Sequence, residues 1–358
     1  MFYAKRVVSD QAAVRALQRS GNEIHVVMSY YPDSPSQTLS RNLQSAPGAR
    51  LIFSAMSQPH TELFTLRDLL RWAISRFHAS GLVFGHGSDN ARDEAAYLLL
   101  HALHLPPDLL EPFLDARLLE RERQRCVDLI HERITSRKPA AYLTGEAWLQ
   151  GERFLVDERV IVPRSPIAEL LAEALAPWIA QPEAVETVLD LCTGSGCLAI
   201  LAAKAFEEAS IDAADISPGA VDVAHANVSL HGLEDRVQVI RSNLYDALPA
   251  GRRYDIILCN PPYVNARSMA ELPPEYQHEP VLALAGGTDG MDLVRRIVSQ
   301  ASRYLTHQGI LVLEIGHEKR HFEAAFPQLP GIWLDTVQAA DQIVLLTQPD
   351  LAAWRTTT

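Results

Sequence analysis

The chain has 358 residues, 47% of them hydrophobic, with 32 Lys and Arg against 44 Asp and Glu and a formal net charge of -12. That length suits two folded parts with sizeable cores, and the acidic balance supplies no overall positive field, so duplex DNA is not expected as a partner and any nucleic-acid contact needs a local basic patch. Four cysteines without a paired Cys-x-x-Cys spacing, no run of about 18 apolar residues and no charged-then-apolar leader point to reduced thiols, no metal, no membrane span and a soluble cytoplasmic protein.

Residues 1 to 55 have turn and loop composition, as in Tyr30-Tyr31-Pro32-Asp33-Ser34-Pro35-Ser36-Gln37, and read as an extension of low order. Met56 follows, and clear periodicity begins soon after it, so Met56 reads as an alternative start of the chain. From Thr65 to Arg137 the pattern is helical: Leu66, Leu69, Leu70, Ala73 and Ile74 share one face, and Thr65 and Asn90 suit helix starts. Residues 56 to 138 are therefore expected to form a small all-helical domain. Within it, the stretch from Arg121 to Arg137 mixes arginine with glutamate and reads as a solvated helix face, with a partner surface as the alternative. Residues 139 to 166 read as a linker, in which two short apolar segments around Gln150-Gly151 predict a β-hairpin. Arg164, close to Pro163 and Pro166, is either a surface charge or a fixed anion contact. A helix is expected over Ile167 to Ile179.

From Thr187 the rhythm alternates strand and helix, with strands near 187–191, 210–215, 237–241, 254–259, 309–315, 332–336 and 342–347. Seven strands in this alternation predict a doubly wound, Rossmann-like α/β domain over residues 167 to 358, with a mainly parallel sheet and ligands beyond the C-terminal strand ends.

The fourth strand stops at Asn260-Pro261-Pro262-Tyr263. A proline after Asn260 and another after Pro261 hold both residues extended, aiming their carbonyls and the Asn260 amide outward as a stiff hydrogen-bonding clamp. With Tyr263 as a flat wall, the clamp suits a planar group carrying NH2, either a carboxamide or an exocyclic base amine. Alone, the motif reads equally well as an ordinary strand-to-loop turn. Upstream, Val188 to Cys197 is a strand, a small-residue loop and a helix start. Gly194 and Gly196 there allow close backbone approach to a ligand, although a tight packing turn has the same composition. The loop lacks both the phosphate-loop lysine and the full dinucleotide glycine pattern. The next strand ends at Asp215, whose carboxylate suits the two hydroxyls of a ribose; an acid favoured by a helix start is the plainer alternative. The third strand ends at Ser242-Asn243-Leu244, which places Asn243 toward a base.

Four consecutive strand ends thus each deliver a fitting group. Together they resemble the S-adenosylmethionine-dependent methyltransferases, and specifically the HemK/PrmC and PrmB family of protein N(5)-glutamine methyltransferases, over residues 60 to 348. Tyr142-Leu143-Thr144-Gly145, Val162-Pro163-Arg164, Glu279-Pro280, Gly286-Gly287-Thr288-Asp289-Gly290 and Leu313-Glu314-Ile315-Gly316 also look like that family. Pro163-Arg164-Ser165-Pro166-Ile167 and Asp190 to Cys197 are similar to the PrmB branch, which modifies ribosomal large-subunit protein three.

The resemblance implies a class I methyltransferase domain that holds S-adenosylmethionine through Asp190, Cys192, Thr193, Gly194, Ser195, Gly196, Asp215, Ile216, Asn243, Leu244 and Asn260. It implies a glutamine acceptor held by Asn260, Pro261, Pro262 and Tyr263, with Asn260, Pro261 and Tyr263 as the catalytic group, and a helical domain that recognises the substrate. The implied partner is ribosomal large-subunit protein three, free or in ribosome assembly intermediates. A release factor, a nucleic-acid base amine, and a non-enzymatic role in ribosome assembly remain as alternatives. Cys192, where the release-factor branch usually has glycine, implies a negative φ at that position. Asn243, where the family often has aspartate, leaves an amide oxygen to accept from the base. The loop from Val264 to Gly290, with Glu275, His278 and Glu279, is expected to cover the site.

Overall fold

The two helix starts marked by Thr65 and Asn90 are real caps in the computed structural model, which describes residues 14–20, 23–28 and 59–357. Thr65 Oγ1 accepts from the Asp68 N–H at 3.1 Å while the Asp68 carboxylate accepts from the Thr65 N–H at 3.0 Å, a reciprocal cap on α1 (Leu66–Ala79). Asn90 Oδ1 accepts from the N–H groups of Arg92 and Asp93 and starts α2 (Ala91–Ala102). These helices pack with α3 (Glu120–Ser136) around Leu66, Leu69, Phe77, Leu98, Leu99 and Ile130.

The arginine-rich stretch is not solvated throughout. Cys126, Ile130 and Arg133 recur at helical spacing on the inward face of α3, so Arg133 is carried into the core. Its Nε donates to buried Glu94 at 2.8 Å, and Arg137 donates to buried Glu275 at 2.8 Å.

Two compact units are formed, Met1–Glu62 and Leu63–Thr358. In the first, where little order is expected from composition, β1 (Val14–Ser20) pairs antiparallel with β2 (Glu23–Met28). Met56 and the remaining residues of that stretch lie outside the described residues.

In the second unit, β3 (Glu146–Leu149) and β4 (Glu152–Leu155) form the hairpin about Gln150 and Gly151, both at positive φ as a two-residue hairpin turn requires. The helix that follows, α4 (Ile167–Ala172), is shorter than expected. Ala174 and Leu175 leave helical geometry for positive φ, and Pro177 beyond them disfavours continuation.

All seven expected strands are present, as β5 (Thr187–Leu191), β6 (Ser210–Asp215), β7 (Val237–Arg241), β8 (Tyr254–Cys259), β9 (Leu305–Glu314), β10 (Ile332–Leu334) and β11 (Ile343–Thr347). Their order is β10-β11-β9-β8-β5-β6-β7, parallel from β9 to β7 and antiparallel at β11 and β10. Alternation along β8 sends Ile256 and Leu258 to one face, with α4, α5 (Cys197–Ala205) and α6 (Pro218–Leu230), and Ile257 and Cys259 to the other, with α7 (Asp292–Tyr304). The chain goes outward from β5 to β6 and β7, then returns to β8 on the other side of β5. That reversal opens a crevice beyond the carboxyl ends of β5 and its neighbours. Among the described residues, no helix is long and apolar enough to cross a membrane.

Removing Glu94 takes from the buried Arg133 its hydrogen-bonded carboxylate and leaves Glu275, 4.0 Å away and already bonded to Arg137, as the nearest counter-charge. Glu94→Ala is expected to cost about 3 to 5 kcal/mol in urea unfolding, and the double replacement Glu94→Leu with Arg133→Met to recover most of that loss.

Candidate active site

The crevice holds a cavity of about 250 Å³. Of the residues read from the sequence as candidates, Cys192, Gly194, Asp215, Ile216, Asn243, Leu244, Asn260 and Pro262 line it. They come from the ends of β5, β6, β7 and β8, which the parallel register brings to one edge of the sheet.

The remaining candidates on the glycine loop stand behind it. Asp190 is buried, and its Oδ2 accepts from Thr193 Oγ1 at 2.5 Å and from the Ala199 N–H at 3.1 Å, so it ties the loop to the first turn of α5. Burial pushes its carboxyl up to about 7, against the opposing pull of those two donors. Thr193 and Ser195 are likewise buried. Gly196 lies against α6, where an added Cβ would sit 3.3 Å from Ala224 Cβ. Cys192 corrects the expectation of a negative φ, since its φ is 59°. The chain leaves β5 and turns at once into the loop, and that turn imposes left-handed geometry whichever residue stands there.

Asp215 is a half-buried acid at the cavity. Its Oδ2 accepts from the Gly194 N–H at 3.0 Å and its Oδ1 from the Ser217 N–H at 2.9 Å. Burial raises its carboxyl above the ordinary range and outweighs these donors. Asn243 presents a half-buried amide whose Oδ1 accepts from the Arg296 guanidinium at 3.1 Å. The oxygen expected to accept from a base is therefore already engaged.

Asn260 is half-buried at the rim, and among the described residues no protein group hydrogen-bonds its amide. Pro261 is buried and Tyr263 does not line the cavity. Tyr263 instead donates to Glu314 Oε1 at 2.9 Å, and Ser165 donates to the other oxygen of that buried acid. Three glycines crowd Tyr263: an added Cβ would lie 2.5 Å from its ring at Gly316, 2.2 Å from its carbonyl oxygen at Gly290 and 2.7 Å from its Cα at Gly286.

The loop from Val264 to Gly290 divides its residues between two faces. Pro280, Leu282 and Ala283 line the cavity. Glu275, His278 and Glu279 turn away from it. Glu275 accepts from the Val83 N–H at 3.1 Å, and His278 Nε2 lies 3.0 Å from the Ser136 carbonyl oxygen. Glu279 accepts from the Val162 N–H at 3.0 Å and from Arg164 at 2.8 Å, with His86 Nε2 at 3.6 Å, too far for a hydrogen bond. Burial pushes the Glu279 carboxyl up, but the Arg164 guanidinium paired with it outweighs burial and holds the group below the usual carboxylate range. Of the two readings of Arg164, the fixed anion contact holds, and the anion is the protein's own.

Sequence reasoning missed Arg159, Val160, Leu282, Ala283, Leu293 and Arg296, which also line the cavity. They come from the segment after β4, the long loop and α7, and no spacing links them to the strand ends. The donor set fits a nucleoside-bearing ligand: a carboxylate at Asp215, an amide at Asn243, apolar contacts at Ile216 and Leu244, and bare backbone at Gly194.

Residues 68–145 match the family model described as the PrmC N-terminal domain, and residues 168–272 the one described as the methyltransferase small domain. The chain is 64% identical over 290 residues to the ribosomal protein uL3 glutamine methyltransferase of Bordetella pertussis, 55% over 304 residues to that of Burkholderia pseudomallei and 52% over 295 residues to that of Neisseria gonorrhoeae. These alignments span 81%, 83% and 82% of this chain and 97%, 99% and 98% of the relatives.

The crowding at Gly316 generates a prediction. Gly316→Ala places a methyl group against the Tyr263 ring at a backbone φ of 54°. It is expected to destabilise the chain by about 1 to 3 kcal/mol and to displace the tyrosine. Thermal unfolding and tyrosine fluorescence check this, and a variant matching the parent in both refutes it.

Proposed function

The chain belongs to the ribosomal protein uL3 glutamine methyltransferases, and we propose that it transfers a methyl group from S-adenosylmethionine to the side-chain amide nitrogen of a glutamine in ribosomal large-subunit protein three. The observation that carries this reading is the single cavity that collects Gly194, Asp215, Asn243 and Asn260 from four strand ends. The cofactor supplies a methyl group already activated on a sulfonium, so the protein's task is alignment rather than the making of a nucleophile.

In this reading Asp215 holds the ribose hydroxyls, Ile216 and Leu244 flank the base, and Cys192 and Gly194 present backbone to the rest of the cofactor. Asp190, Thr193, Ser195 and Gly196 shape the loop that does so. Asn260 Oδ1 and the Pro261 carbonyl accept the two N–H groups of the substrate carboxamide. That fixes the nitrogen and raises its negative charge, which a delocalised amide lone pair otherwise lacks. Pro262 packs beside the acceptor, and Tyr263, held by Glu314, keeps the backbone of the clamp in place. The proton leaves to water after transfer. We assign substrate recognition to the helical region over residues 56–138 and place the reaction in the cytoplasm, on the free ribosomal protein or an assembly intermediate.

Asn260→Ala is expected to lower kcat by roughly 10²-fold or more while cofactor affinity stays within about threefold. Equal losses in both, measured by single-turnover methylation and calorimetry, remove Asn260 from the acceptor role. Asp215→Ala is expected to weaken cofactor binding by about tenfold or more, since a carboxylate holding a hydroxyl pair is a charge-assisted contact; unchanged affinity refutes the ribose assignment. Incubation with labelled S-adenosylmethionine and, separately, undermethylated ribosomal proteins, release factor and DNA tests the acceptor. Label on a glutamine of large-subunit protein three is the expected result. Label on the release factor or on DNA alone overturns it.

A further inference from the structure

The cavity wall contains one cation whose position has a chemical consequence. Arg296, on the exposed side of α7, donates to Asn243 Oδ1 at 3.1 Å, and both residues line the cavity. A guanidinium has five donors and no acceptor, so only the oxygen end of the Asn243 amide can face it. The two ends of an asparagine are otherwise interchangeable, and here the neighbour removes the choice. Among the described residues, nothing accepts from Asn243 Nδ2. The backbone beneath the amide is also set: Ser242 N–H donates to the Asp215 carbonyl at 2.8 Å, and Ser242 Oγ donates to the Leu244 carbonyl at 2.6 Å and accepts from the Ala247 N–H at 3.0 Å.

We propose that Arg296 is a positioning residue of the cofactor site, which by holding Asn243 Oδ1 leaves the Asn243 NH2 as the group that meets the base. The site then reads adenine through a donor. Its match is an unprotonated ring nitrogen, an acceptor, and not the exocyclic amine, whose hydrogens would meet those of the amide. An aspartate at this position would do the reverse, offering only acceptors and forming an ion pair with Arg296. This inference rests on the reading of the cavity as the S-adenosylmethionine site.

The test is calorimetric binding of S-adenosylhomocysteine and of its 1-deaza, 3-deaza, 7-deaza and 6-deamino analogues to the full chain. In the parent protein one deaza analogue is expected to bind about tenfold more weakly, the size of one lost hydrogen bond, while the 6-deamino analogue stays within about twofold. In Arg296→Leu the amide is free to turn, and the deaza penalty is expected to shrink below about threefold. Arg296→Lys, which keeps a donor-only cation, is expected to retain most of it. Asn243→Asp is expected to move the penalty to the 6-deamino analogue. A parent protein that loses nothing on any deaza change overturns the proposal, whether or not removal of the amine weakens binding, as does an Arg296→Leu variant with the parent's full pattern. Failure of the parent to bind S-adenosylhomocysteine at all overturns the cofactor reading, and the proposal with it.

Discussion

Glu279 has its carboxylate wholly buried between the Val162 N–H and the Arg164 guanidinium, and one wall of the cavity hangs from it. A charge in that position is tolerable only when paired and hydrogen-bonded, so the segment before α4 and the loop before α7 must come together or neither is stable. Pro280 follows directly, and Leu282 and Ala283 reach the cavity a turn later. Four residues upstream Glu275 repeats the device toward the helical region, through Val83 and Arg137. The loop is therefore pinned at two buried acids, and what it presents to the cavity is apolar.

The parallel sheet imposes the second constraint. Its two acids at adjacent strand ends have different work because of where the turn leaves them. Asp190 is on the buried side, spends its oxygens on Thr193 and Ala199, and keeps the glycine loop closed against α5. Asp215 is a strand further out, where it braces the same loop through Gly194 and still borders the cavity. Residue type alone does not separate these roles, since both are aspartates near the end of a buried strand.

Tyr263 shows how a motif outside the cavity supports it. The close approach of Gly316 and the bond to Glu314 leave the ring little freedom, and Gly286 and Gly290 crowd the Tyr263 backbone. The glycine-rich stretch from Gly286 to Gly290 and the Leu313 to Gly316 stretch thus owe their composition partly to packing around the residue that follows the two prolines. Rigid backbone at Asn260 and Pro261 is what the proposed clamp requires.

The seven strands, the hairpin at Gln150-Gly151 and the caps at Thr65 and Asn90 were legible from sequence because each rests on local physics: apolar runs covered on both faces, a turn dipeptide, a short side chain that reaches its own backbone. The strand-end candidates were legible for the same reason, since a parallel sheet brings the ends of successive strands to one edge. What depended on distant partners was not. Arg133 reads as one more arginine on a charged helix until α2 places Glu94 beside it. Cys192 reads as a residue that avoids positive φ until the turn out of β5 imposes one. Arg296 carries no local signal, because its meaning comes from Asn243, 53 positions earlier in the chain. The sequence by itself determined the elements and the kinds of chemistry at their ends; the tertiary structure decided which of those groups face the cavity, which are consumed in holding it, and which way an amide points, because burial and hydrogen-bond pairing between distant segments exist only once the chain has closed on itself.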